Sequence, residues 1–309
     1  MPKVAVIGAG LIGRSWANVF ARAGWDVALT DADAATLEAA PALIRAGLDD
    51  LASHGLVADA AGAARRVRLA ANLAEALDGA EFVQENLPER VEVKQAIFAE
   101  LDRLAGPDAI LASSTSAIIA SRFTEALPGR ARCLVAHPVN PPHLVPVVEL
   151  CGAPWTSPAT VARARAVFAS IGQRPIEVKR EIDGFILNRL QGALLSEAFR
   201  LVGEDYVSPQ DLDDTIRHGL GLRWAFMGPI ETAELNAPEG IRDYCTRYAD
   251  SLKSVPRDPA GPQVWDEPNV TRVIAAWGAP PDRKTLAEKS TWRDRQLAAL
   301  AAHKKRQGL

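Results

Sequence analysis

Short apolar runs alternate with longer helix-like stretches from the N-terminus to residue 181. Several of the apolar runs lack an alternation with polar residues, which is typical of parallel strands buried on both faces. The segments between them carry apolar residues at helical spacing. The alternation predicts an α/β fold, with a mostly parallel sheet covered by helices. The predicted strands are Val4–Gly8, Val27–Asp31, Val67–Ala70, Phe82–Glu85, Ile110–Ser113, Cys133–His137, Val147–Leu150 and Pro175–Val178. The clearest predicted helices are Leu11–Ala23, Asp33–His54, Val91–Leu104 and Ser157–Ile171.

The pattern changes after residue 181, where the strand signal almost disappears. A long helix is predicted over Gly184–Val202, with Asp183 as its N-cap and Gly203 as its stop. Ser208 and Pro209 open another helix in the same way. We therefore expect a nucleotide-type domain over residues 1–181 and an all-α C-terminal domain over residues 182–309.

Composition narrows the class of protein. The 309 residues are 48% hydrophobic and 24% charged, which is ordinary for a globular protein of about two domains. Thirty-five basic residues against 38 acidic ones give a net charge of −3, so we expect neither nucleic acid nor an anionic membrane as a partner. Three cysteines without paired spacing indicate reduced thiols. With neither a signal-peptide layout nor an apolar membrane span, a cytoplasmic protein is expected.

A glycine motif marks the first predicted strand–helix junction. Gly8, Gly10 and Gly13 form G-x-G-x-x-G, and Asp31 ends the second strand 18 residues later. In a strand–turn–helix unit, such glycines permit a tight turn, a close approach of pyrophosphate and helix–strand packing, and the acid meets the ribose. The pattern predicts a Rossmann-type dinucleotide site. No Arg occupies positions 32–34 to receive a 2′-phosphate, which favours NAD over NADP. The alternative is a glycine-rich turn in a nucleotide-free domain.

Four polar residues fall where such a fold places its chemistry. They are Ser116, His137, Glu149 and Asn188. Each has an ordinary explanation alone: a turn serine, a structural histidine, a solvated strand-end charge and a loop contact. Together they suit alcohol oxidation, in which histidine takes the hydroxyl proton and a carboxylate fixes its tautomer. Serine and asparagine can hold the reacting oxygen.

Other chemistry finds less support in the sequence. The spacing of His, Cys, Asp and Glu matches no metal site, and neither a G-x-S-x-G elbow nor a P-loop lysine is present. Among the other histidines, His143 is nearest to the predicted site along the chain and could contact a substrate.

The sequence resembles the 3-hydroxyacyl-CoA dehydrogenase superfamily. The matching segments follow one order along nearly the whole chain. They are Gly8–Gly13, Gln84–Glu89, Ser113–Ser116, Ala136–Pro142, Glu181–Gln191 and Gly219–Pro229. The resemblance implies an NAD-dependent dehydrogenase and, by analogy, a homodimer. One departure is Ser114, where hydroxyacyl-CoA members usually carry asparagine.

The resemblance also implies roles for individual residues. Pyrophosphate contacts fall on the backbone N–H groups of Leu11 and Ile12, the ribose acid on Asp31, and two further cofactor contacts on Glu89 and Lys94. The catalytic histidine falls on His137 and its paired glutamate on Glu149. Ser116 and Asn188 are expected to hold the substrate oxygen.

The residues that discriminate between substrate classes are expected in the helical domain. Arg223 lies in a Gly-Leu-Arg-Trp run and could bind a free carboxylate bidentately, which favours a free hydroxy acid such as L-gulonate. L-carnitine or a short 3-hydroxyacyl-CoA are the alternatives, and Arg223 could instead pair with Asp213 or Asp214.

Two other classes of protein are weighed against this enzyme. One is a structural protein that keeps the NAD fold without catalysis. The other is a β-hydroxyacid dehydrogenase with a lysine base on the long helix, where this sequence has Asn188 and Arg189.

Overall fold

A computed structural model describes residues 1–255, 258–279 and 281–309. The strands are β1 (Lys3–Ile7), β2 (Asp26–Thr30), β3 (Val67–Leu69), β4 (Phe82–Glu85), β5 (Ile110–Ser113), β6 (Cys133–Pro138), β7 (Val147–Gly152) and β8 (Arg174–Glu177). All eight belong to one sheet, in the order β3-β2-β1-β4-β5-β6-β7-β8. Every neighbouring pair is parallel except β6 and β7, which are antiparallel.

Helices make up most of the remaining described chain. They are α1 (Leu11–Arg22), α2 (Ala34–Ser53), α3 (Ala60–Arg65), α4 (Leu73–Leu77), α5 (Val91–Leu104), α6 (Ser121–Thr124), α7 (Pro158–Ser170), α8 (Leu187–Gly203), α9 (Pro209–Thr215), α10 (Gly221–Trp224), α11 (Pro229–Leu235), α12 (Gly240–Ser254), α13 (Glu267–Trp277) and α14 (Arg283–Gln307). A π-helical turn, Ile216–Leu220, joins α9 to α10. Within the ranges described, no helix is both long and apolar enough to cross a bilayer.

The six inner strands, β1, β2 and β4–β7, bury both of their faces, as their uninterrupted apolar runs predict. On β1, Val4 and Val6 join one apolar cluster, while Ala5 and Ile7 join another. Side chains alternate across a strand, so the two clusters lie on opposite faces of the sheet. The fold class predicted from the sequence, a mostly parallel sheet followed by helices, is confirmed.

The chain divides into two compact units. The first comprises residues 1–188 together with 283–309, and the second comprises residues 189–282. This differs from the predicted division at residues 181 and 182, because α14 belongs to the first unit. Ala298 of α14 is fully buried in the apolar cluster of that unit, and Lys305 Nζ donates to the carbonyl of Gly55 at 3.1 Å. The pattern of α14 alone could not show this, since a helix pairs with a sheet or with other helices through the same apolar stripe.

The long helix also begins later than the sequence predicts. Gly184 and Phe185 have φ values of +77° and +48°, so the backbone turns through the left-handed region before α8 starts at Leu187. Asp183 is therefore not its N-cap.

The three cysteines are free thiols. Cys133 and Cys151 are buried on β6 and β7, and Cys245 is exposed on α12. Burial raises the pKa of both Cys133 and Cys151 to about 12, which keeps these thiols protonated and unreactive.

His143 lies in a partly buried position near α1, α2 and α14. Its Nδ1 is buried without a hydrogen-bond partner, and its carbonyl accepts from Arg22 Nη1 at 2.9 Å. The pKa of His143 is lowered from 6.5 to about 4, first by burial and then by the positive charges of Arg22 and Arg293, which outweigh the raising effect of Asp294 and Asp50. The ring is therefore neutral in the folded protein at neutral pH, and it lies close to α1, α2 and α14 as part of the structure.

This lowered pKa predicts acid sensitivity. As pH falls through 6.5, the unfolded chain binds a proton that the folded His143 resists until about pH 4. The stabilisation is therefore complete above pH 6.5 and is lost towards pH 4, by about 1–2 kcal/mol between pH 7 and pH 5. Urea unfolding of His143→Gln at both pH values should show that much less pH dependence than the wild type. The exposed His218→Gln is the control, and equal pH dependence in all three proteins would contradict the assignment.

Candidate active site

The glycine turn between β1 and α1 is shaped for close approach to a ligand. Gly8 has a φ of +94°, a left-handed conformation that favours glycine. A Cβ on Gly13 would stand 1.8 Å from the carbonyl oxygen of Gly8, so only glycine allows the helix to pack this closely. A Cβ on Gly10 would meet nothing within 4 Å, so the backbone there borders open space.

The start of α1 is suited to an anion. Its N-cap, Gly10, offers no side-chain acceptor, and the first turn carries no acidic residue. The N–H groups at Leu11 and Ile12 therefore keep their hydrogen-bonding capacity, and the helix dipole is positive there. Leu11 is 58% exposed. This arrangement fits the pyrophosphate of a dinucleotide, with the contacts expected at these two residues.

Asp31 follows β2 and lies beside the glycine turn. Its Oδ2 accepts from the N–H of Ala9 at 2.6 Å, and its Oδ1 accepts from the N–H of Asp33 at 2.9 Å. The carboxylate thus fixes the turn, and it remains partly exposed at the place expected for the ribose acid.

His137 and Glu149 meet as neighbours in the sheet. They are register partners on the antiparallel strands β6 and β7. His137 Nδ1 lies 2.8 Å from Glu149 Oε2, and the two side chains are 6% and 0% exposed. An ionised carboxylate only accepts, so Nδ1 carries the proton and Nε2 carries the lone pair. Nε2 forms no hydrogen bond within the described chain and is free to act as a base.

Glu149 is held in its ionised form by its contacts. Its Oε1 accepts from the N–H groups of Ile186 and Leu187 at 2.8 and 3.0 Å, at the start of α8. Burial raises the pKa of Glu149, but the hydrogen bonds from His137, Leu187 and Ile186 outweigh it and hold that pKa below its ordinary value. A carboxylate that stays charged can stabilise the imidazolium formed when His137 accepts a proton.

The turn before α8 packs against the histidine. Phe185 is fully buried, and its ring centroid lies 5.5 Å from that of His137. A non-glycine residue at positive φ is strained and persists only where its surroundings hold it. The strained turn presents the N–H groups of Ile186 and Leu187 to Glu149. Sequence reasoning missed this role of Phe185, because it placed positions 184 and 185 inside a regular helix.

Ser116 and Asn188 are in direct contact. Asn188 Nδ2 donates to the carbonyl of Ser116 at 2.8 Å. Ser116 is exposed, and its hydroxyl has no hydrogen-bond partner among the described residues. The structure therefore brings together two pairs from the predicted set of four, His137 with Glu149 and Ser116 with Asn188. Glu149 and Asn188 are joined through the start of α8.

Glu89 and Lys94, the two further cofactor contacts implied by the resemblance, are engaged by the protein. Lys94 is 1% exposed, and its Nζ donates to both oxygens of Glu85 at 2.9 and 3.0 Å and to the carbonyl of Leu87 at 3.1 Å. These acceptors occupy all three ammonium hydrogens, which is at odds with a direct cofactor contact. Glu89 accepts from the turn that carries Ser116.

A partly buried polar network that the sequence reasoning did not identify links α1 to the carboxyl ends of β4 and β5. Ser114 Oγ accepts from Trp16 Nε1 at 3.0 Å and from Gln84 Nε2 at 2.7 Å, and it donates to Asn86 Oδ1 at 2.7 Å. The hydroxyl is thus fully satisfied. At position 114, where hydroxyacyl-CoA members usually carry asparagine, this chain supplies the hydroxyl of Ser114, and the amide of the network comes from Asn86. The available signal was the run of polar residues, Gln84–Asn86, at the end of a buried strand.

Arg223 lies on α10 in the second unit and is exposed. Its guanidinium forms no ion pair among residues 1–255, 258–279 and 281–309. Asp214, one of the partners weighed for it, lies instead within 4 Å of Arg217 and His218.

The sheet, the glycine turn and the buried histidine–carboxylate pair define the class as a nicotinamide-dependent dehydrogenase. Residues 3–182 match the family model for the NAD binding domain of 3-hydroxyacyl-CoA dehydrogenase, and residues 184–272 match that for its C-terminal domain. The chain belongs to the 3-hydroxyacyl-CoA dehydrogenase family, and its cofactor is NAD.

Individual proteins of known name are similar to nearly the whole chain. It is 44% identical to a lambda-crystallin homolog of Mus musculus over 96% of this chain and 95% of the relative. It is 34% identical to an L-carnitine dehydrogenase of Pseudomonas sp. over 96% and 92%. A solved 5-formyl-3-hydroxy-2-methylpyridine 4-carboxylic acid 5-dehydrogenase, an NAD+-dependent dismutase, matches with a TM-score of 0.84 at 30% identity, covering 97% of each chain.

Proposed function

We propose that this chain oxidises the 3-hydroxyl of a small free hydroxy acid, with L-gulonate as the first candidate. The observation that carries the proposal is the 2.8 Å contact between His137 and the buried, ionised Glu149. It leaves one imidazole nitrogen with a lone pair, as removal of a hydroxyl proton requires. Three free thiols are consistent with a reducing compartment, and we place the enzyme in the cytoplasm.

Each residue has one task in this mechanism. His137 takes the hydroxyl proton at Nε2 while Nδ1–H stays bonded to Glu149, whose charge stabilises the imidazolium. Ser116 and Asn188 hold the oxygen as it changes from hydroxyl to carbonyl, and their mutual contact fixes their spacing. When bound, NAD would supply the acceptor for the hydride that leaves the hydroxyl-bearing carbon. Gly8, Gly10 and Gly13 allow it to approach the backbone, Leu11 and Ile12 receive its pyrophosphate, and Asp31 receives its ribose.

A free carboxylate is preferred to a thioester because of Arg223. Its guanidinium is exposed and has no acidic partner among the residues the structure describes, so it is available for bidentate binding. The identity to an L-carnitine dehydrogenase, 34%, is lower than the 44% to a lambda-crystallin homolog, so L-carnitine is kept as the second candidate.

The base is tested by His137→Asn. We expect kcat in the oxidative direction to fall by at least ~100-fold, since general-base catalysis contributes on this scale. The Kd for NADH, followed by its fluorescence, should stay within about threefold because the imidazole is assigned to the proton and not to the cofactor. His218→Asn, which alters an exposed histidine, is the matched control. Retention of more than a tenth of the wild-type kcat would rule out His137 as the base.

The substrate class is tested by assaying L-gulonate, L-carnitine and 3-hydroxybutyryl-CoA side by side with NAD. We expect the free acids to be turned over in preference to the thioester. Arg223→Met should raise KM for the acid by about 10–100-fold, as loss of a charge-assisted contact does, with little change in kcat. Arg217→Met, which removes a cation already paired with Asp214, should leave KM unchanged. Turnover of the thioester alone would show that the role given to Arg223 is wrong.

We also propose a homodimer formed through the second unit. Among its described residues, the buried hydrophobic ones are only Ala237, Val264 and Val273, which are 5–9% exposed. Large apolar side chains are exposed instead, among them Tyr206 at 69% and Ile230 at 72%. An apolar groove of about 610 Å³ also lies between α8 and α9. A unit with so small a core of its own gains stability by burying this surface against a second copy.

Sedimentation velocity at micromolar concentration tests the dimer. The wild type should sediment as a dimer, and Leu194→Glu, which places a charge in the groove between α8 and α9, should weaken dimerisation by at least ~100-fold, as a buried unpaired charge does. Leu43→Glu changes a leucine of α2 that is 49% exposed, against 39% for Leu194, and should leave the dimer intact. A monomeric wild type would contradict the proposal.

A further inference from the structure

One carboxylate oxygen accepts three hydrogen bonds from the turn that carries Ser116. Glu89 Oε1 accepts from the N–H groups of Ser116 and Ala117, each at 2.9 Å, and from the hydroxyl of Thr115. Successive donors that point at a single anion form a concave backbone nest. Here the occupant of the nest is a side chain of the protein, so the turn is fixed before any ligand arrives.

Glu89 is in turn held by a buried cation. Its Oε2 lies 3.7 Å from Lys94 Nζ, which is fixed by both oxygens of Glu85. Burial raises the pKa of Glu89, but Thr115, Ala117, Lys94 and Ser116 together outweigh it and keep that pKa below its ordinary value. The carboxylate therefore stays charged and keeps its three donors.

The start of the same turn is tied to Glu85. Ser113 Oγ donates to Glu85 Oε2 at 2.5 Å and accepts from the N–H of Thr115 at 3.2 Å. The segment from Ser113 to Ala117 is thus fastened at both ends by two carboxylates that share Lys94.

Ser116 itself is held from two sides. Its N–H donates to Glu89, and its carbonyl accepts from Asn188 at 2.8 Å. Its hydroxyl is the part of the residue that keeps no partner among the described residues. We propose that Glu89, anchored by the buried Lys94–Glu85 pair, is a positioning residue that holds Ser116 for the reacting oxygen. This inference rests on the proposed function, in which Ser116 binds that oxygen.

The inference differs from the role that the family resemblance implies. A cofactor contact at Glu89 or Lys94 acts on the affinity for NAD, whereas a positioning residue acts on turnover once NAD is bound. The two roles therefore separate in a comparison of kcat with the Kd for NADH.

Glu89→Ala removes all three accepted hydrogen bonds and tests the proposal. We expect kcat at saturating NAD to fall by about 10–100-fold, while the Kd for NADH stays within about threefold. Glu89→Gln keeps an oxygen that can accept two N–H groups, so it should recover most of the lost kcat. Glu92→Ala is the control, since Glu92 lies just after Glu89, in the first turn of α5, with its side chain 76% exposed.

A double-mutant cycle with Ser116→Ala shows whether Glu89 acts through Ser116. In the Ser116→Ala background, Glu89→Ala should lower kcat by no more than about threefold further, because the group that it positions is already gone. Additive losses, or a Kd for NADH raised more than ~10-fold with kcat preserved, would overturn the inference.

Hydrogen exchange separates this inference from the proposed function. If the wild type turns over none of the hydroxy acids, the proposed function fails, and the state of the turn is still measurable. Glu89→Ala should speed exchange of the Ser116 and Ala117 amides by at least ~10-fold relative to Glu92→Ala, since both lose their acceptor. Unchanged exchange of these amides would show that Glu89 does not hold the turn.

Discussion

The candidate site depends on the contacts made by the carboxylate of Glu149. It is fully buried, and a buried charge is tolerated only when its acceptor positions are filled. One oxygen binds the imidazole of His137, and the other binds the backbone of Ile186 and Leu187. The same charge therefore fixes the tautomer of the histidine and the starting point of α8. Since Asn188 follows immediately, the position of the base and the position of the oxygen-binding amide are set together.

The one antiparallel pairing in the sheet makes this contact possible. β6 and β7 are joined by a short connection, residues 139–146, which suits an antiparallel return and is too short for a helical crossover. The register pairs His137 with Glu149 directly, and directly opposed residues share one face of the sheet. The antiparallel pairing thus brings a base and its carboxylate partner, distant by 12 residues, into hydrogen-bonding distance.

Carboxylates that bind the protein's own backbone recur along the carboxyl edge of the sheet. Asp31 holds the glycine turn, Glu85 holds Leu87 and Ser113, Glu89 holds the Ser116 turn, and Glu149 holds the start of α8. Each uses a charge to fix a loop whose amides would otherwise lack acceptors. Loops fixed in this way keep binding groups in place without a ligand, which lowers the reorganisation needed when substrate and cofactor arrive.

The local sequence determined the strands, the glycine turn and the helical second half, because buried strands, tight turns and helices leave periodic or glycine-specific signals within a few residues. It also supplied Ser116 and His137, since the carboxyl ends of parallel strands converge on one edge of the sheet. Glu149 and Asn188 were identified as well, but only the structure shows that Glu149 lies near the start of the antiparallel strand β7 and Asn188 at the start of α8. Only the tertiary structure decided that Lys94 is buried against Glu85, that Ser114 joins Trp16 and Gln84, that Phe185 adopts a left-handed conformation against His137, and that α14 returns to the first unit. These features depend on contacts between residues that are far apart in the sequence. The residues adjacent to each one do not indicate which distant residue it will contact.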